Sequence, residues 1–389
     1  MREHVAIFDT TLRDGLQTPG LPVITRDARI EIARMLESMR VDVIEAGFPV
    51  SSPENFASVA AIAETVKEST ICALSWATKD SITTVAEALA KARRSRIHLF
   101  LGSSKTHLGN LGLTQEQMIE RSTDAIRFAT RHFGDIEFSP EDGGRTDPDF
   151  LCRVIEAAIK AGATVINVPD TVGYCMPREY GERIRSLIER VPHDPTKVSW
   201  SVHCHDDLGC ATANALEGVL AGARQVECTL YNIGERAGNT AMEEVVMAVR
   251  ARQDYFPCDT RIDTTLFWEA ARLVERITQI GIPPNKAVVG RNAFSHESGI
   301  HQAGVLKNRA SYEVLNREDV GWKGHSIMLG PQSGRRGLQS VLRELGIELD
   351  NNQFEEAYRL FIEHADRHGQ VSPDTLRTLV SPLRVSDVA

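Results

Sequence analysis

The 389-residue chain carries 44 lysines and arginines against 53 aspartates and glutamates, and its net charge of −9 argues against a nucleic-acid or anionic-membrane partner. Its length favours one large domain with an appendage, or two to three domains. The sequence shows no signal peptide and no apolar run of membrane-spanning length, and its seven cysteines form no C-x-x-C pair, so we expect a cytoplasmic protein.

From Val5 to about Arg252, short β-branched runs alternate with segments of helical apolar spacing such as "DARIEIARMLESM". The predicted strands are Val5–Asp9, Val41–Gly47, Thr70–Trp76, Arg96–Leu101, Asp135–Ser139, Ala163–Pro169, Val198–His205 and Gln225–Asn232. Two joins, "AGATVINV" and "AGARQVEC", place a glycine where a helix ends before a strand. Eight such units over roughly 250 residues predict an α/β protein with a (β/α)8 TIM barrel, and a doubly wound open sheet is the alternative.

The pattern changes after the barrel. Helices are predicted near Thr264–Ile280 and Gln353–His368, with the glycine- and proline-bearing stretch "GIPPNKAVVGRNAFSHESGIHQAG" between them. We therefore expect a catalytic barrel over residues 1–256 and a mainly helical C-terminal region over residues 257–389.

The segment "KVSWSVHCHDDLG" has polar side chains at alternate positions that end in His203 and His205, with apolar residues between them. Because side chains alternate along a strand, the polar set faces one side, which in a barrel is the interior. Two imidazoles at i and i+2 can bind one metal ion, with Asp206 and Asp207 as possible outer partners, although such pairs are often structural. Because His203 and His205 lie at the catalytic end of a barrel strand, a metal site is favoured over a structural pair.

Strands three to six place further side chains on the inner face near the same rim. These inward residues are Cys72, Leu74, Trp76, His98, Phe100, Glu137, Ser139, Glu141, Asn167, Pro169 and Thr171. Polar groups from several strands thus converge on one end, as is typical of a barrel active site. Solvated rim residues are the simpler alternative.

The stretch "FDTTLRDG" at the end of strand one places Asp14 where it could complete an Asp/His/His ligand set suited to Zn²⁺, Mn²⁺ or Mg²⁺. Arg13 could pair with Glu45, at the end of "VDVIEAG", and still face an oxyanion. The glycines of "YNIGERAGN" could form a backbone cradle for a ligand, or a simple turn.

Several segments together resemble the successive signatures of the 2-isopropylmalate synthase family, one of the Claisen-type acetyl-CoA/2-oxo acid synthases. They are "DTTLRDG", "IEAGFPVSSP", "INVPDTVGY", "SVHCHDDLG", "NIGERAGN" and "HESGIHQAGVLKN". The resemblance implies a barrel enzyme of leucine biosynthesis, usually a homodimer, that condenses acetyl-CoA with a 2-oxo acid.

The resemblance also implies roles for individual residues. The implied ligands of a divalent ion (Mn²⁺, Mg²⁺ or Zn²⁺) are Asp14, His203, His205 and Asn239. The expected oxo-acid pocket, including two inward apolar side chains, comprises Leu74, His98, Phe100, Ser139, Asn167 and Thr171. Arg13 would bind the enolate or keto oxygen. The base is either Glu141 or the pair His301 and Tyr312, which the family brings to the active site of the partner subunit.

Three positions depart from the family pattern. Leu16 and Ala303 stand where members commonly carry polar residues, and Trp76 stands where many carry arginine. The apolar pocket argues against 2-oxoglutarate, whose second carboxylate would be left unpaired. The resemblance makes 2-oxoisovalerate the first choice, with phenylpyruvate or a methylthio-oxo acid (as in 2-benzylmalate or methylthioalkylmalate synthases) as alternatives. The chain also ends before the extra C-terminal domain of leucine-regulated members, so feedback control by leucine is not expected.

Two other classes of protein remain as alternatives. "RDGLQ" also resembles 3-hydroxy-3-methylglutaryl-CoA lyase, although the long region after the barrel and its "SGIHQ" motif favour the synthase. A non-catalytic barrel is the third possibility. The joint presence of Arg13, Asp14, Glu45 and Glu141 with the two histidines argues against it.

Overall fold

A computed structural model describes residues 2–384. Eight parallel strands form a closed barrel in sequence order, and the first strand pairs with the last through Ala6 and Gln225. These strands are β1 (Ala6–Asp9), β2 (Val43–Glu45), β3 (Thr70–Trp76), β4 (Ser95–Gly102), β5 (Ile136–Glu141), β6 (Val165–Asp170), β7 (Ser199–Cys204) and β8 (Gln225–Cys228). The predicted (β/α)8 barrel is confirmed, and the open sheet is wrong because β1 and β8 close the ring.

Helices connect successive strands and cover the outside of the barrel. They are α1 (Arg26–Ser38), α2 (Pro53–Thr65), α3 (Lys79–Ala88), α4 (Lys105–Leu111), α5 (Gln115–Ala129), α6 (Pro148–Ala161), α7 (Pro177–Arg190), α8 (Ala211–Ala221), α9 (Met242–Ala251) and α10 (Phe267–Thr278). Thr25, Ser52 and Thr114 cap helix N-termini by accepting backbone N–H groups. The glycines predicted to end two helices, Gly162 and Gly222, adopt φ angles of 119° and 121° that favour glycine.

The eighth strand was predicted to continue to Asn232, and this extension is wrong. The strand ends at Cys228, and Leu230–Asn232 forms a 3-10 turn in which Tyr231 and Asn232 have φ angles of 39° and 58°. The N–H of Leu230 donates to Thr11 Oγ1 and that of Tyr231 to a carboxylate oxygen of Glu243. Side chains therefore replace the ladder partners that a continuing strand would need.

The chain divides into two compact units, Met1–Ile282 and Pro283–Ala389. This division lies later than the boundary predicted between residues 256 and 257. The intervening segment packs with the barrel, since the N–H of Asp263 donates to Met39 O and Arg276 on α10 pairs with Glu31 on α1 at 2.7 Å. The second unit contains α11 (Gly299–Lys307), α12 (Arg335–Glu344), α13 (Asn351–His368) and α14 (Pro373–Arg384).

The second unit has its own apolar core, built from α12, α13, α14 and the segments that join them. Its buried members are Leu329, Leu338, Val341, Leu342, Ile347, Ala357, Phe361, Ala365, Val371, Leu376 and Val380. Across residues 2–384, none of the helices combines the length and apolarity that a bilayer crossing requires.

Candidate active site

A cavity of about 270 Å³ opens at the carboxyl ends of the barrel strands. Its lining residues are Arg13, Asp14, Gln17, Phe48, Leu74, His98, Phe100, Ser139, Glu141, Asn167, Pro169, Thr171, His203, His205, Glu227, Glu235 and Arg236. Most of the barrel side chains singled out in the sequence thus come together, because parallel strands all end at the same rim. Cys72, Trp76 and Glu137 do not line the cavity.

Three of these residues form a compact group of metal-ligand type. The ligand atoms of Asp14, His203 and His205 all lie within 4.8 Å of one another, and all three residues are buried. The Nε2 atoms of the two histidines are 3.2 Å apart, and His205 Nε2 is 3.9 Å from Asp14 Oδ2. His205 lies just past the end of β7 and is held in register by a β-bridge to Asn239.

The hydrogen bond of His205 fixes which of its ring nitrogens carries a proton, because Nδ1 donates at 3.2 Å to Gly238 O, which only accepts. His203 Nδ1 lies 2.6 Å from Glu227 Oε2 and donates to it when Glu227 is ionised, and burial raises the pKa of Glu227 to about 7. Burial lowers the pKa of His203 and of His205 to about 4, so both rings are neutral at pH 7. With Glu227 ionised, two Nε2 lone pairs face each other at 3.2 Å. Because a cation between them would relieve their repulsion, these residues fit a divalent metal ion.

Asp14 and Asn239 complete this end of the site. Burial would raise the pKa of Asp14, but the adjacent Arg13 guanidinium holds it well below its ordinary value. Asn239 Nδ2 donates to Asp14 Oδ1 at 2.8 Å, while the buried Asn239 Oδ1 has no hydrogen-bond partner within residues 2–384. A Cβ on Gly234 would lie 2.1 Å from Asn239 Nδ2, so this approach requires glycine.

A buried ion-pair network lies beside the metal-type group. Arg13 Nε and Nη1 donate at 2.6 Å to Glu45 and to Asp14, and His98 Nδ1 contacts the second Glu45 oxygen at 2.8 Å. Burial would raise the pKa of Glu45, but Arg13 and His98 bring it to about 2. The predicted pairing of Arg13 with Glu45 is present, and it leaves the guanidinium fixed beside the cavity.

The network continues across the barrel. His98 Nε2 is 2.7 Å from Ser139 Oγ, and Asn167 Nδ2 donates to the same oxygen at 2.8 Å. Asn167 Oδ1 is buried and makes no hydrogen bond in the described part of the chain. The floor of the cavity is therefore polar and held in place by side chains from several strands.

One wall of the cavity is apolar and consists of Phe48, Leu74 and Phe100. Trp76, predicted to line the pocket, instead stands at the rim with 50% of its surface exposed and its ring edge-on to Phe48 at 5.1 Å between centroids. It ends β3, where the inner face of the strand opens to solvent. Leu16 is half-buried in a 3-10 turn, and its neighbour Gln17 lines the cavity instead.

Sequence reasoning missed Glu227, and it also missed four other residues that line the cavity: Gln17, Phe48, Glu235 and Arg236. Glu227 is fully buried on β8, contacts His203, and its second oxygen lies 3.9 Å from His98 Nε2. Asp207, expected to support the histidines, pairs instead with Arg236 at 2.8 Å. The available signal was the polar alternation of Gln225 and Glu227 in "RQVEC", which follows the same inward pattern as β7.

His301 and Tyr312 belong to the second unit. Both are exposed, and their ring centroids are 4.3 Å apart. Ala303 is half-buried in α11 of the same unit. The family roles of His301 and Tyr312 stay a prediction.

Comparisons with known proteins agree with this architecture. Residues 4–274 match the family described as HMGL-like, and residues 288–369 match the homocitrate synthase post-HMGL domain-like family. Proteins named 2-isopropylmalate synthase from Aromatoleum aromaticum and Dechloromonas aromatica are 54% and 53% identical over 98% of this chain, covering 75% and 74% of theirs. A solved HMG-CoA lyase from Acenitobacter baumannii, in complex with coenzyme A and 3-methylmalate, is 21% identical, with a TM-score of 0.62 over 75% of this chain and 97% of its own.

Proposed function

Because this chain belongs to the 2-isopropylmalate synthase family, we propose that it condenses acetyl-CoA with 2-oxoisovalerate to give 2-isopropylmalate and CoA. Membership itself makes the chain an acyltransferase of the Claisen type that uses acetyl-CoA and a 2-oxo acid. The observation that carries the proposal is the buried Asp14, His203 and His205 group, which adjoins an apolar wall in one cavity.

We propose that Asp14, His203, His205 and Asn239 hold a divalent cation, Mg²⁺, Mn²⁺ or Zn²⁺. The bound ion would supply Lewis-acid polarisation of the keto group. Arg13 donates to the oxygen on which negative charge develops, and Glu45 keeps the guanidinium in position. Ser139 and Asn167 orient the oxo-acid carboxylate from the cavity floor.

A base must remove a proton from the acetyl methyl group. Glu141 lines the cavity, and burial raises the pKa of its carboxyl above its ordinary value, which makes the carboxylate a stronger base. The enolate then attacks the keto carbon, and hydrolysis of the thioester releases CoA. The alternative base is the pair His301 and Tyr312, supplied by a second copy of the chain in a homodimer.

The side-chain specificity rests on Phe48, Leu74 and Phe100, which form the apolar wall. A branched apolar group loses water there without leaving a polar group unpaired, whereas the distal carboxylate of 2-oxoglutarate would be desolvated at a cost of about 1–3 kcal/mol or more. Phenylpyruvate or a methylthio-oxo acid is the second candidate, because the aromatic edge of Phe48 and Phe100 suits a larger apolar substrate.

The test measures thiol release from acetyl-CoA by protein that has been treated with a chelator and then supplied with Mg²⁺, Mn²⁺ or Zn²⁺. Four 2-oxo acids are tested as the second substrate and compared by kcat/KM: 2-oxoisovalerate, phenylpyruvate, pyruvate and 2-oxoglutarate. We expect the highest value for 2-oxoisovalerate. A preference for 2-oxoglutarate would refute the apolar-pocket argument. Cleavage of 3-hydroxy-3-methylglutaryl-CoA without condensation would support the lyase instead.

A further inference from the structure

His107, in the first turn of α4, is held on one side by two polar groups. Its Nδ1 atom lies 3.1 Å from Asp142 Oδ2 and 3.0 Å from Ser104 Oγ. Since a carboxylate only accepts, the Nδ1 proton points toward Asp142. The opposite nitrogen, Nε2, is therefore the one that remains for another partner.

That nitrogen faces Glu141. His107 Nε2 is 4.0 Å from Glu141 Oε1, and the Glu141 side chain is 32% exposed where it lines the cavity. Within residues 2–384, no hydrogen bond orients the Glu141 carboxylate, and His107 is its ion-pair partner. The imidazole is thus the group best placed to fix this carboxylate.

The backbone and hydrogen bonds of Asp142 hold its carboxylate in place beside His107. It has a φ of 62° and ψ of 33°, the left-handed region that is uncommon for a residue with a side chain. Its buried carboxylate accepts from Arg145 Nε at 2.9 Å and Nη2 at 2.7 Å, and its N–H donates to Thr171 Oγ1 at 2.9 Å. Because Arg145 already balances the charge of Asp142, its contact with His107 is not needed for neutralisation.

Close packing also fixes the backbone beneath His107. A Cβ on Gly102, at the end of β4, would lie 2.6 Å from His107 Cβ. The strand that ends beside the cavity therefore admits the histidine only because this position is glycine.

We propose that His107 is a positioning residue which, protonated on both ring nitrogens and anchored through Nδ1 by Asp142, donates from Nε2 to hold the Glu141 carboxylate at the acetyl methyl group. This inference rests on the proposed function, with Glu141 as the base. The proton leaves the methyl carbon for a Glu141 oxygen, and the C–H electron pair becomes the new carbon–carbon bond. His107 gains and loses nothing in that step, since it acts only on the orientation of Glu141.

Two substitutions separate this role from a structural one. His107→Asn keeps an amide nitrogen near the Nδ1 position, which can still donate to Asp142. It has no nitrogen at the Nε2 position and so loses the contact with Glu141. His107→Gln places its amide nitrogen near the Nε2 position and can still donate to Glu141. A structural anchor predicts that His107→Asn is the milder variant, whereas positioning of Glu141 predicts the opposite order.

The experiment measures kcat, the KM for 2-oxoisovalerate, bound metal and thermal melting for the wild type and both variants. Misplacing a catalytic group by an ångström costs roughly 100-fold, so we expect kcat to fall about 10- to 100-fold in His107→Asn and less than about 5-fold in His107→Gln. KM and metal content should stay near wild type in both. His132→Asn, which alters an exposed histidine on another loop, is the matched control.

Each outcome decides the matter. Equal kcat values in all proteins, or a greater loss in His107→Gln, would overturn the positioning role while leaving the synthase activity standing. Wild-type protein that condenses no 2-oxo acid would overturn the proposed function and the role of His107 with it. If His107→Asn melts well below wild type, kcat is compared between His107→Gln and Asp142→Asn instead. The positioning role then requires that kcat falls in Asp142→Asn and stays near the wild-type value in His107→Gln.

Discussion

The barrel and the C-terminal unit are stabilised by interiors of opposite character. Inside the barrel, Glu45, His98, Glu137, His203 and Glu227 are all buried and joined by ion pairs and hydrogen bonds. The buried core of the C-terminal unit is a set of aliphatic and aromatic side chains centred on residues such as Leu338 and Phe361. Within the described residues 2–384, the barrel interior holds the ionisable groups that acid–base or metal chemistry requires, whereas the apolar core of the C-terminal unit holds none.

This difference has a consequence for where each unit can act. A buried polar network holds its members in fixed geometry, because every unpaired group would cost free energy. The chemical groups of the C-terminal unit, His301 and Tyr312, lie instead at its exposed surface. We therefore expect changes inside the barrel to alter metal binding directly, and changes in the C-terminal unit to alter turnover alone.

The largest expected effect comes from His203→Ala. Removing one Nε2 ligand should abolish both bound metal and thiol release while leaving the barrel folded, measured by metal analysis, the thiol assay and circular dichroism. His368→Ala, which removes an exposed histidine from α13, should change neither. Full activity in chelator-treated His203→Ala would show that this group is not the metal site.

Removing the C-terminal unit should separate binding from turnover. A chain of residues 1–282 keeps the complete barrel, so we expect it to bind metal with near wild-type affinity. If the C-terminal unit completes the active site of a second copy, the same protein should release no thiol. An active truncated barrel would assign all the chemistry to the first unit.

Glu227→Gln should weaken the metal site without destroying it. The carboxylate fixes the tautomer of His203 and makes its Nε2 a stronger donor, so losing the charge should raise the metal dissociation constant about 10- to 100-fold. Glu137→Gln is the matched control, because that buried carboxyl contacts Arg96 and Gln225 rather than His203. Equal affinity in wild type and Glu227→Gln would leave Glu227 a purely structural residue.

The last expected effect concerns stability rather than metal binding, and it is a pH dependence that arises inside the barrel. In chelator-treated protein, the pKa of His203 and of His205 is lowered from 6.5 to about 4, so the unfolded chain binds more protons between these values. Stability should therefore fall as the pH drops from about 6.5 to about 4, by up to about 3 kcal/mol per histidine. Melting curves should show a flatter profile in a His203→Ala, His205→Ala double variant, and identical slopes would contradict the assignment.

The sequence predicted the barrel because its strands repeat with regular helices between them, and it predicted the site because parallel strands end together. His203 and His205 could be found because they continue the inward phase of β7 to its end. Arg13 and Asp14 could be found because they follow within five residues of the end of β1, in the turn after Asp9, and Glu45 because it ends β2. Periodicity therefore carried most of the fold and the centre of the site.

The remaining features depend on contacts that periodicity does not contain. The alternation of Gln225 and Glu227 indicates that both face inward, but on a strand of four residues it does not show that Glu227 contacts His203 rather than standing at the rim. Trp76 was given the correct phase, but its exposure depends on how far β3 extends beyond its neighbours. His107 reaches Glu141 only through the loop geometry at Asp142, a non-glycine residue with positive φ that no local pattern predicts.

The pairing of β1 with β8 also bears on how the chain is made. The two strands that close the barrel are the first and last to leave the ribosome, so a nascent chain that has not reached Cys228 exposes two unpaired strand edges. Gln225, on the last strand, also donates a hydrogen bond to Glu137 and accepts one from Arg96 inside the barrel. Addition of the short strand β8 thus closes the sheet and completes its polar interior. We therefore expect the barrel to fold cooperatively, and only after this strand has been synthesised.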